Sequence, residues 1–477
     1  MEQVNKNNEN STEGQGLLER LFKLAEHRTN IKTEVVAGIT TFVTMCYIMF
    51  LNPVIMSNTG MPFEGLFLAT CLGAAIATIL MGLYANWPVG LAPGMGLNAF
   101  FTFTVVGGMG YSWEVALGAV FLSGVLFVLM SVTKLREWML DSIPLSLRLA
   151  MTAGVGLFLG FIGLRFSGIV VPDADNVVAI ADLTHFGFGQ FGPEAPALGF
   201  LSFLIISVLS YRKVFGAVLI GIAATTFIAF AMTWVLPTDF FTVSDAAKDF
   251  APATGFVSYN GLIAVPNFAD LEPIFWKADI AGALQVALIP VIVTFLFVNV
   301  FDTAGTLMGV AERANLQDEN GKIKGLNKSL KADSVSSVIG TAFGCPPVTS
   351  YVESAAGVSV GGRTGLTALT IGLLFLVGMF FLPLAQMLPA FAVDGALIYV
   401  AMLMMTSLKG IDWEDLTEYV PALSTVIMMA FTFSIANGIA FGFITYTVLK
   451  VGTGKSDQVS KGVWALTLLC VAKFIFL

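Results

Sequence analysis

Apolar runs of membrane-spanning length recur along the whole chain, and this feature limits the possible folds more than any other. A helix needs about 20 apolar residues to cross the hydrocarbon layer, where every backbone N–H and C=O must be paired within the structure. The sequence has fourteen apolar runs, of which the ninth and tenth are short, joined mostly by short connections. Their approximate limits are 35–55, 63–83, 88–107, 112–133, 146–164, 197–210, 214–236, 280–309, 334–344, 346–360, 366–388, 392–408, 419–435 and 436–449. The pattern predicts an all-α polytopic membrane protein, either a carrier or a channel.

The composition agrees with this class and excludes several others. Only 12% of the 477 residues are charged and 56% are hydrophobic, whereas soluble domains carry about 25% charged residues. No basic patch indicates a nucleic-acid partner, so none is expected. The four cysteines lie in or beside apolar runs and form no C-x-x-C pair. They are interpreted as core residues, and no metal site is predicted.

The positions of the cationic residues predict how the chain is oriented in the bilayer. With a cytoplasmic N-terminus, 20 of the 24 Lys and Arg residues fall on the cytoplasmic side, as the positive-inside rule requires. The same rule favours a hairpin over one long helix at 419–449, with a break at Asn437–Gly438. The last apolar run, 463–477, is short for a crossing and is expected to lie at the membrane interface. A multi-pass protein of the cell membrane is predicted, with the lipid bilayer as a partner.

Two of the apolar runs are interrupted by glycine and proline. The third run contains GLAPGMGLNAFF (90–101), and the tenth contains GCPPVTSYVESAAG (344–357). They stand seven runs apart, as expected of an inverted repeat whose discontinuous helices meet at a substrate site. Ordinary helix kinking is the alternative, although two breaks in matching positions make it the weaker one.

Two acidic residues inside apolar runs are the first candidates for chemistry. Asp302 lies within the eighth run and Glu353 within the interrupted tenth run, and neither has a Lys or Arg in its own run. A charge at the bilayer centre costs roughly 2.5 to 3.5 kcal/mol, so such residues mark ion or substrate paths. They indicate a carrier coupled to protons or other cations. The alternative is a protonated acid that only joins two helices. Thr306 lies one helical turn after Asp302, on the same face.

Asn98, beside the Gly-Pro stretch of the third run, is the third candidate. Its amide offers both a donor and an acceptor to a small polar ring. The alternative is that Asn98 caps a half-helix that begins at Ala99.

Other polar residues in the runs have simpler interpretations. Thr40, Thr41 and Thr44 form one stripe of the first run, and back-bonding to their own helix is favoured for them. Asp333 and Asp394 lie near predicted helix ends and are interpreted as caps.

No motif in the chain predicts an enzyme. The GTGKS stretch at 452–456 resembles the end of a phosphate-binding loop, but the first glycine of that motif would stand at Leu449. The signatures H-E-x-x-H, G-x-S-x-G and G-x-G-x-x-G at a strand–helix junction are missing from the sequence. A transporter is therefore favoured over an enzyme.

Four segments closely resemble the AzgA-like purine permeases of the xanthine/uracil permease superfamily. They are TEVVAGITTF (33–42), GLAPGMGLNAFF, FDTAGTLMGV (301–310) and TSYVESAAGVSVGGRTGLTAL (349–369). The resemblance extends over nearly the whole chain. It implies a UraA-like fold of fourteen spans in two inverted seven-span repeats, with a core and a gate domain.

The resemblance divides the chain into matching halves of these two domains. The segments are a cytoplasmic tail at 1–34, core domain at 35–133 (spans 1–4) and 280–388 (spans 8–11), gate domain at 146–236 (spans 5–7) and 392–449 (spans 12–14), and an interfacial helix at 463–477.

The resemblance also implies roles for the candidate residues. Glu353 would bind the base, Asp302 would be linked to substrate and proton, and Asn98 would contribute to recognition. The uracil carriers have a Glu followed one turn later by a His in the eighth span, where this chain has Asp302 and Thr306, which agrees with the AzgA-like branch. Further candidates for the site are Thr306, Thr44 and Tyr351.

The predicted function is import of a purine nucleobase, adenine, guanine or hypoxanthine, by symport with a proton and without any other cofactor. A sulfate-permease-like anion carrier of the same general fold is the alternative. A homodimer is expected by analogy alone, and the sequence does not choose among the bases.

Overall fold

The computed structural model describes residues 16–133, 143–173, 177–180, 194–235, 261–314, 316 and 323–476, and these residues are mainly helical. The first fifteen residues of the predicted tail 1–34 lie outside these ranges. The helices are α1 (Leu17–Phe22), α2 (Ile31–Met45), α3 (Ile48–Ser57), α4 (Phe63–Leu80), α5 (Met95–Ala99), α6 (Trp113–Val132), α7 (Leu145–Phe166), α8 (Glu194–Tyr211), α9 (Ala217–Val235), α10 (Ile280–Ala283), α11 (Ile289–Arg313), α12 (Leu326–Ala342), α13 (Ser354–Ser359), α14 (Gly365–Gly378), α15 (Leu382–Gln386), α16 (Ala390–Met405), α17 (Leu416–Phe431), α18 (Ile435–Gly452) and α19 (Lys461–Phe476). The strands are β1 (Leu91–Pro93), β2 (Val170–Asp173), β3 (Val177–Ile180) and β4 (Val348–Ser350).

By length and composition, eight helical segments of the described chain are suited to cross a membrane. Some of them join consecutive helices or add a π-helical or 3₁₀ turn. They are Ile31–Ser57, Phe63–Ala85, Trp113–Val132, Leu145–Phe166, Ile289–Arg313, Gly365–Gln386, Ala390–Gly410 and Ile435–Gly452. Shorter apolar helices lie between them, including Met95–Gly108 and Leu416–Phe431. The chain is a multi-pass membrane protein.

Two predicted spans have the wrong limits. The ninth, predicted at 334–344, is α12, which begins at Leu326 because its buried face is lined by small polar residues that hydropathy does not detect. The eighth, predicted at 280–309, begins at Ile289 as α11 and extends to Arg313. Pro290 lies in the first turn of α11, where its missing N–H costs nothing.

The predicted hairpin at 419–449 forms, but its break is not at Asn437–Gly438. Helix α17 ends at Phe431 and α18 begins at Ile435. Phe433 has a positive φ of 52°, and the Ser434 hydroxyl caps α18 by accepting a hydrogen bond from Asn437 N at 3.3 Å. The turn therefore depends on a serine cap and one left-handed residue, and Asn437 lies in the first turn of α18.

Helix contacts fall into two groups. In one, α14 packs on α2 and α4, and α12 packs on α4 and α6. In the other, α16 packs on α7 and α8, and α17 packs on α7 and α18. Helix α11 contacts members of both groups, including α6 and β4 on one side and α7 and α18 on the other.

A buried cation holds the end of α18. The side chain of Lys450 is 1% exposed, and its Nζ lies 2.7 Å from Glu418 Oε1 and 2.8 Å from Gln458 Oε1. Glu418 Oε2 also accepts a hydrogen bond from Ser146 Oγ. These bonds join α7, α17, α18 and the segment that leads to α19.

A second, more exposed pair lies beside it. Lys455 Nζ donates to Asp415 Oδ2 at 2.9 Å, and the Thr417 hydroxyl and backbone N–H donate to Asp415 Oδ1. The hydrogen bonds from Lys455 and then Thr417 hold the pKa of Asp415 well below its ordinary range. Ionised Asp415 therefore stabilises the fold fully when the pH is above the pKa of an aspartate in the unfolded chain. This contribution is lost as the pH falls through the lowered pKa of the folded protein, which requires strong acidification.

Lys450→Met is expected to destabilise the fold by about 3 kcal/mol, because it leaves the Glu418 carboxylate without its cation. The melting temperature of detergent-purified protein should fall by several degrees. Lys455→Met is the control, since Lys455 is 39% exposed and an exposed ion pair contributes little to stability. Equal melting temperatures for the two variants would contradict the stabilising role of Lys450.

Candidate functional site

Two short strands from distant parts of the sequence pair at the centre of the site. Strand β1 is antiparallel to β4. Their register is Leu91↔Ser350, Ala92↔Thr349 and Pro93↔Val348. Gly94 N donates to Pro347 O at 3.0 Å, and Tyr351 N donates to Gly90 O at 3.0 Å. Non-helical backbone can lie among membrane-spanning helices only if its polar groups are paired, and this pairing satisfies that condition.

Side chains from neighbouring helices fix strand β1. Thr78 Oγ1 accepts a hydrogen bond from Leu91 N at 2.8 Å and donates to Leu91 O at 2.9 Å. The Tyr351 hydroxyl, at the end of β4, donates to Pro93 O. Tyr351 was a candidate for the substrate site, but in this structure its hydroxyl joins the two strands.

Asp333 fixes strand β4, and its interpretation as a helix cap is wrong. It lies inside α12 and is fully buried. Oδ2 accepts from Ser350 N at 2.8 Å and Ser350 Oγ at 2.6 Å, while Oδ1 accepts from Thr303 Oγ1 at 2.8 Å. Asp333 therefore ties the strand to the residue that follows Asp302. The sequence signal for this role is the set of serines near Asp333, Ser329, Ser334, Ser336 and Ser337.

Glu353 lies directly before α13, half-buried, with a tyrosine as its partner. Tyr47 Oη donates to Glu353 Oε1 at 2.6 Å across 306 positions of sequence. Sequence reasoning missed Tyr47, because a tyrosine inside an apolar run has no distinguishing pattern. The bond fixes one carboxyl oxygen and leaves Oε2 as a further acceptor.

Asp302 lies in the middle of α11 and is half-buried. Among the described residues, none donates a hydrogen bond to its carboxyl group or forms an ion pair with it. Asp333 and Glu353 are both within electrostatic range of Asp302. The structure thus brings three acids close together.

A small, partly open cavity lies against Asp302. It is lined by Gly94, Gly96, Leu97, Met151, Thr152, Val155, Val298, Phe301, Asp302 and Met404. The lining comes from the segment after β1, from α7, from α11 and from α16, so the cavity lies where the two helix groups meet.

Asn98 is buried within α5, which begins at Met95 and not at Ala99, so the interpretation of Asn98 as an N-cap is wrong. Its Nδ2 donates to Asn52 Oδ1 at 2.6 Å. Gly94, which precedes Met95, adopts an extended conformation with ψ near 120°. Helix α5 can therefore start four residues earlier than expected.

Of the candidate residues, Asp302 lines the cavity, whereas Glu353, Asn98, Tyr351, Thr44 and Thr306 are not among its lining residues. Thr44 Oγ1 donates to Thr41 O at 2.7 Å, and Thr40 Oγ1 donates to Val36 O at 2.8 Å, so the back-bonding interpretation is confirmed for these two. It is wrong for Thr41, whose buried Oγ1 has no hydrogen-bond partner among the described residues. Thr306 lies one turn after Asp302, half-buried, and is not among the cavity-lining residues.

Glu34 is a further buried acid that sequence reasoning assigned to the polar tail. Its carboxylate accepts hydrogen bonds from Arg363 N at 2.9 Å, Thr364 N at 3.2 Å and Thr367 Oγ1 at 2.6 Å. It caps the start of α14 from α2 and so fixes the polypeptide just after α13. Glu34 lies in the first turn of α2, where an acidic residue is expected at the end of a polar tail, so the sequence does not indicate this role.

Comparisons with known proteins agree on one family. The model of Xan_ur_permease, described as "Permease family", matches residues 32–444. "Adenine permease AdeP" of Escherichia coli (strain K12) is 46% identical over 466 residues, with 98% of each chain covered. "Guanine/hypoxanthine permease PbuO" of Bacillus subtilis (strain 168) is 40% identical over 448 residues, covering 92% of this chain and 96% of the relative.

A solved structure with little sequence similarity shares the fold. The transmembrane domain of a cyanobacterium bicarbonate transporter, BicA, aligns with a TM-score of 0.59 at 16% identity, covering 86% of this chain and 97% of that domain. At this identity the comparison concerns the fold alone.

Proposed function

The chain belongs to the Xan_ur_permease family, and we propose that it imports a purine nucleobase, adenine, guanine or hypoxanthine, in symport with a proton. The observation that carries the proposal is the cavity between the two helix groups, with Asp302 in its lining and Glu353 within electrostatic range of Asp302. The names of the relatives supply the substrate class. All residue roles below are part of the proposal.

The base would lie in the cavity against the short β1–β4 pair. Glu353 Oε1 is occupied by Tyr47, so Oε2 would accept a hydrogen bond from a ring N–H. Charge-assisted bonds of this kind are stronger than neutral ones and favour an ionised Glu353 in the loaded site. Asn98 would contact a second edge of the ring.

Asp302 would carry the coupled proton. It faces the cavity and lacks a cationic partner among the described residues, so a proton is the simplest neutralising charge. The loaded carrier would then cross without an added buried charge. Entry of one positive charge gains roughly 2.3 kcal/mol per 100 mV, which corresponds to about fiftyfold accumulation.

We propose that the two helix groups are the core domain (35–133 and 280–388) and the gate domain (146–236 and 392–449), related as two inverted seven-span repeats. The glycine-rich breaks around β1 and β4 support this, since they stand at matching places in the two halves. Transport would be a movement of one domain against the other, with the N-terminus in the cytoplasm, 463–477 at the interface, and a homodimer as a further hypothesis.

An anion carrier is the second candidate, and the fold shared with a bicarbonate transporter favours it. The charge of the site argues against it, because Asp302 and Glu353 would both repel an anion. The purine hypothesis is therefore preferred.

The direct test is uptake of radiolabelled adenine, hypoxanthine, guanine and uracil into cells that express the protein and lack their own carriers. Purine uptake is expected, and a protonophore should abolish the roughly fiftyfold accumulation. Replacing external sodium should leave uptake unchanged. If no purine enters while bicarbonate or sulfate does, the proposal fails and the anion carrier takes its place.

A further inference from the structure

Three buried polar side chains form a continuous chain of hydrogen bonds that includes Asn98. Asn98 Nδ2 donates to Asn52 Oδ1 at 2.6 Å, and Asn52 Nδ2 donates to Thr70 Oγ1 at 2.7 Å. Thr70 Oγ1 donates in turn to Leu66 O at 2.6 Å. Asn52, Thr70 and Asn98 are all 0% exposed. The relay, as we name these three side chains, runs from α5 through α3 to α4.

The chemistry of the relay allows only one direction. The Leu66 carbonyl can only accept, and the Thr70 hydroxyl, which also lies beside the Cys345 thiol, donates to it at 2.6 Å. Thr70 can therefore only accept from Asn52, which must turn its NH₂ group toward Thr70 and its oxygen toward Asn98. In the reverse direction the Thr70 and Leu66 oxygens would face each other at 2.6 Å without a proton between them. The backbone carbonyl thus decides how the amide of Asn98 is turned.

The result is an oriented, unsatisfied acceptor. Because the NH₂ group of Asn98 faces Asn52, its Oδ1 is the atom left over, and no described residue donates to this fully buried oxygen. Buried polar groups are nearly always paired, so an exception calls for a ligand or another donor. Asn98 itself is not among the residues that line the cavity, but Gly94, Gly96 and Leu97 of the same segment are.

We propose that Asn52 and Thr70 are positioning residues that determine specificity, because they hold Asn98 as an acceptor toward the base edge that carries N1 and the C6 substituent. This inference rests on the proposed function. Adenine presents an amino donor at C6 and an acceptor at N1, whereas hypoxanthine presents an acceptor at C6 and a donor at N1. A fixed acceptor therefore distinguishes the two bases. An amide that is free to turn does not.

The test compares variants of the relay in the cellular uptake assay. Thr70→Val removes the hydroxyl with little change of shape. Asn52→Leu breaks the relay one residue closer to Asn98. Thr70→Ser keeps the hydroxyl. Thr341→Val is the matched control, because Thr341 is also fully buried and donates only to a carbonyl of its own helix, Ser337 O at 2.9 Å. For each variant the KM and Vmax for the preferred base are measured, with the inhibition constants of adenine and hypoxanthine.

The wild-type chain is expected to prefer one of the two bases by roughly ten- to a hundredfold, since a wrong base leaves a buried acceptor unpaired. In Thr70→Val and Asn52→Leu, the KM should rise about tenfold with little change in Vmax per molecule, and the ratio of the two inhibition constants should approach one. Thr70→Ser should restore both values, and Thr341→Val should not alter them. The ratio does not depend on how many molecules reach the membrane.

Other results would overturn the inference. These are an unchanged KM in Thr70→Val, a KM that rises without any change in the adenine to hypoxanthine ratio, a wild-type chain without preference, or a Thr70→Ser variant as impaired as Thr70→Val. The proposed function is judged separately by wild-type uptake. A wild-type chain that transports purines with an unmoved ratio in the variants contradicts only the relay.

Discussion

Glu353→Gln is expected to abolish measurable purine uptake by lowering the affinity of the site for the base about a hundredfold. The substitution keeps the shape but replaces the charged acceptor with a neutral amide, and a hydrogen bond to a charged group contributes about 1.5 to 3 kcal/mol. At tenfold per 1.4 kcal/mol, the upper part of that range gives the hundredfold loss. The measurement is binding of the labelled base to purified protein, together with uptake.

Two matched variants make this result specific. Glu64→Gln carries the same change at a half-buried residue that accepts from Gln386 Nε2 at 2.9 Å, away from the cavity lining, and should transport normally. Tyr47→Phe removes the hydrogen bond to Glu353 Oε1 and should weaken binding less, by about tenfold. If Glu353→Gln binds purines as tightly as the wild type, Glu353 does not bind the base and the anion carrier must be reconsidered.

Asp302→Asn is expected to separate transport from the proton gradient. An asparagine resembles the protonated acid but cannot release the proton, so the loaded carrier could cross without binding one. Accumulation should fall by the roughly fiftyfold that one charge supplies per 100 mV. Exchange of labelled for unlabelled base across the membrane should persist. Uptake into vesicles with an imposed pH gradient, with exchange measured alongside, tests both expectations.

Asp279→Asn is the control for this change. Asp279 is exposed and caps α10, its Oδ1 accepting from Gly282 N at 2.8 Å, and asparagine serves equally well as a cap. Gradient-driven accumulation in Asp302→Asn equal to that of the wild type would remove Asp302 from the proton path. Loss of exchange together with accumulation would assign it to substrate binding instead.

The candidate site residues that the sequence predicts are those that contrast with their surroundings. Asp302 and Glu353 are charges in apolar runs, and the glycines and prolines around β1 and β4 interrupt helical periodicity, so each left a local signal. Because burying a charge is costly, these positions can be predicted without knowing which residues contact them.

The residues it missed are defined by contacts that no local pattern encodes. Tyr47 matters through a bond to a residue 306 positions away, and Asp333 through bonds to Ser350 and Thr303. Both look ordinary in their own segments, as an aromatic residue in an apolar helix and an acid near a predicted helix end. The error at Asn98 had a different origin, because α5 begins at Met95, before the first polar residue of the segment.

The pairing of β1 with β4 has a consequence for how the protein is made. Its two strands are separated by more than half of the chain, so at a synthesis rate of about 5 to 20 residues per second the first strand waits on the order of 10 to 50 s for its partner. During that time its backbone groups lack their final hydrogen bonds within the membrane. Until the second half of the chain is inserted, water or the insertion machinery must therefore supply hydrogen-bond partners to the backbone of β1.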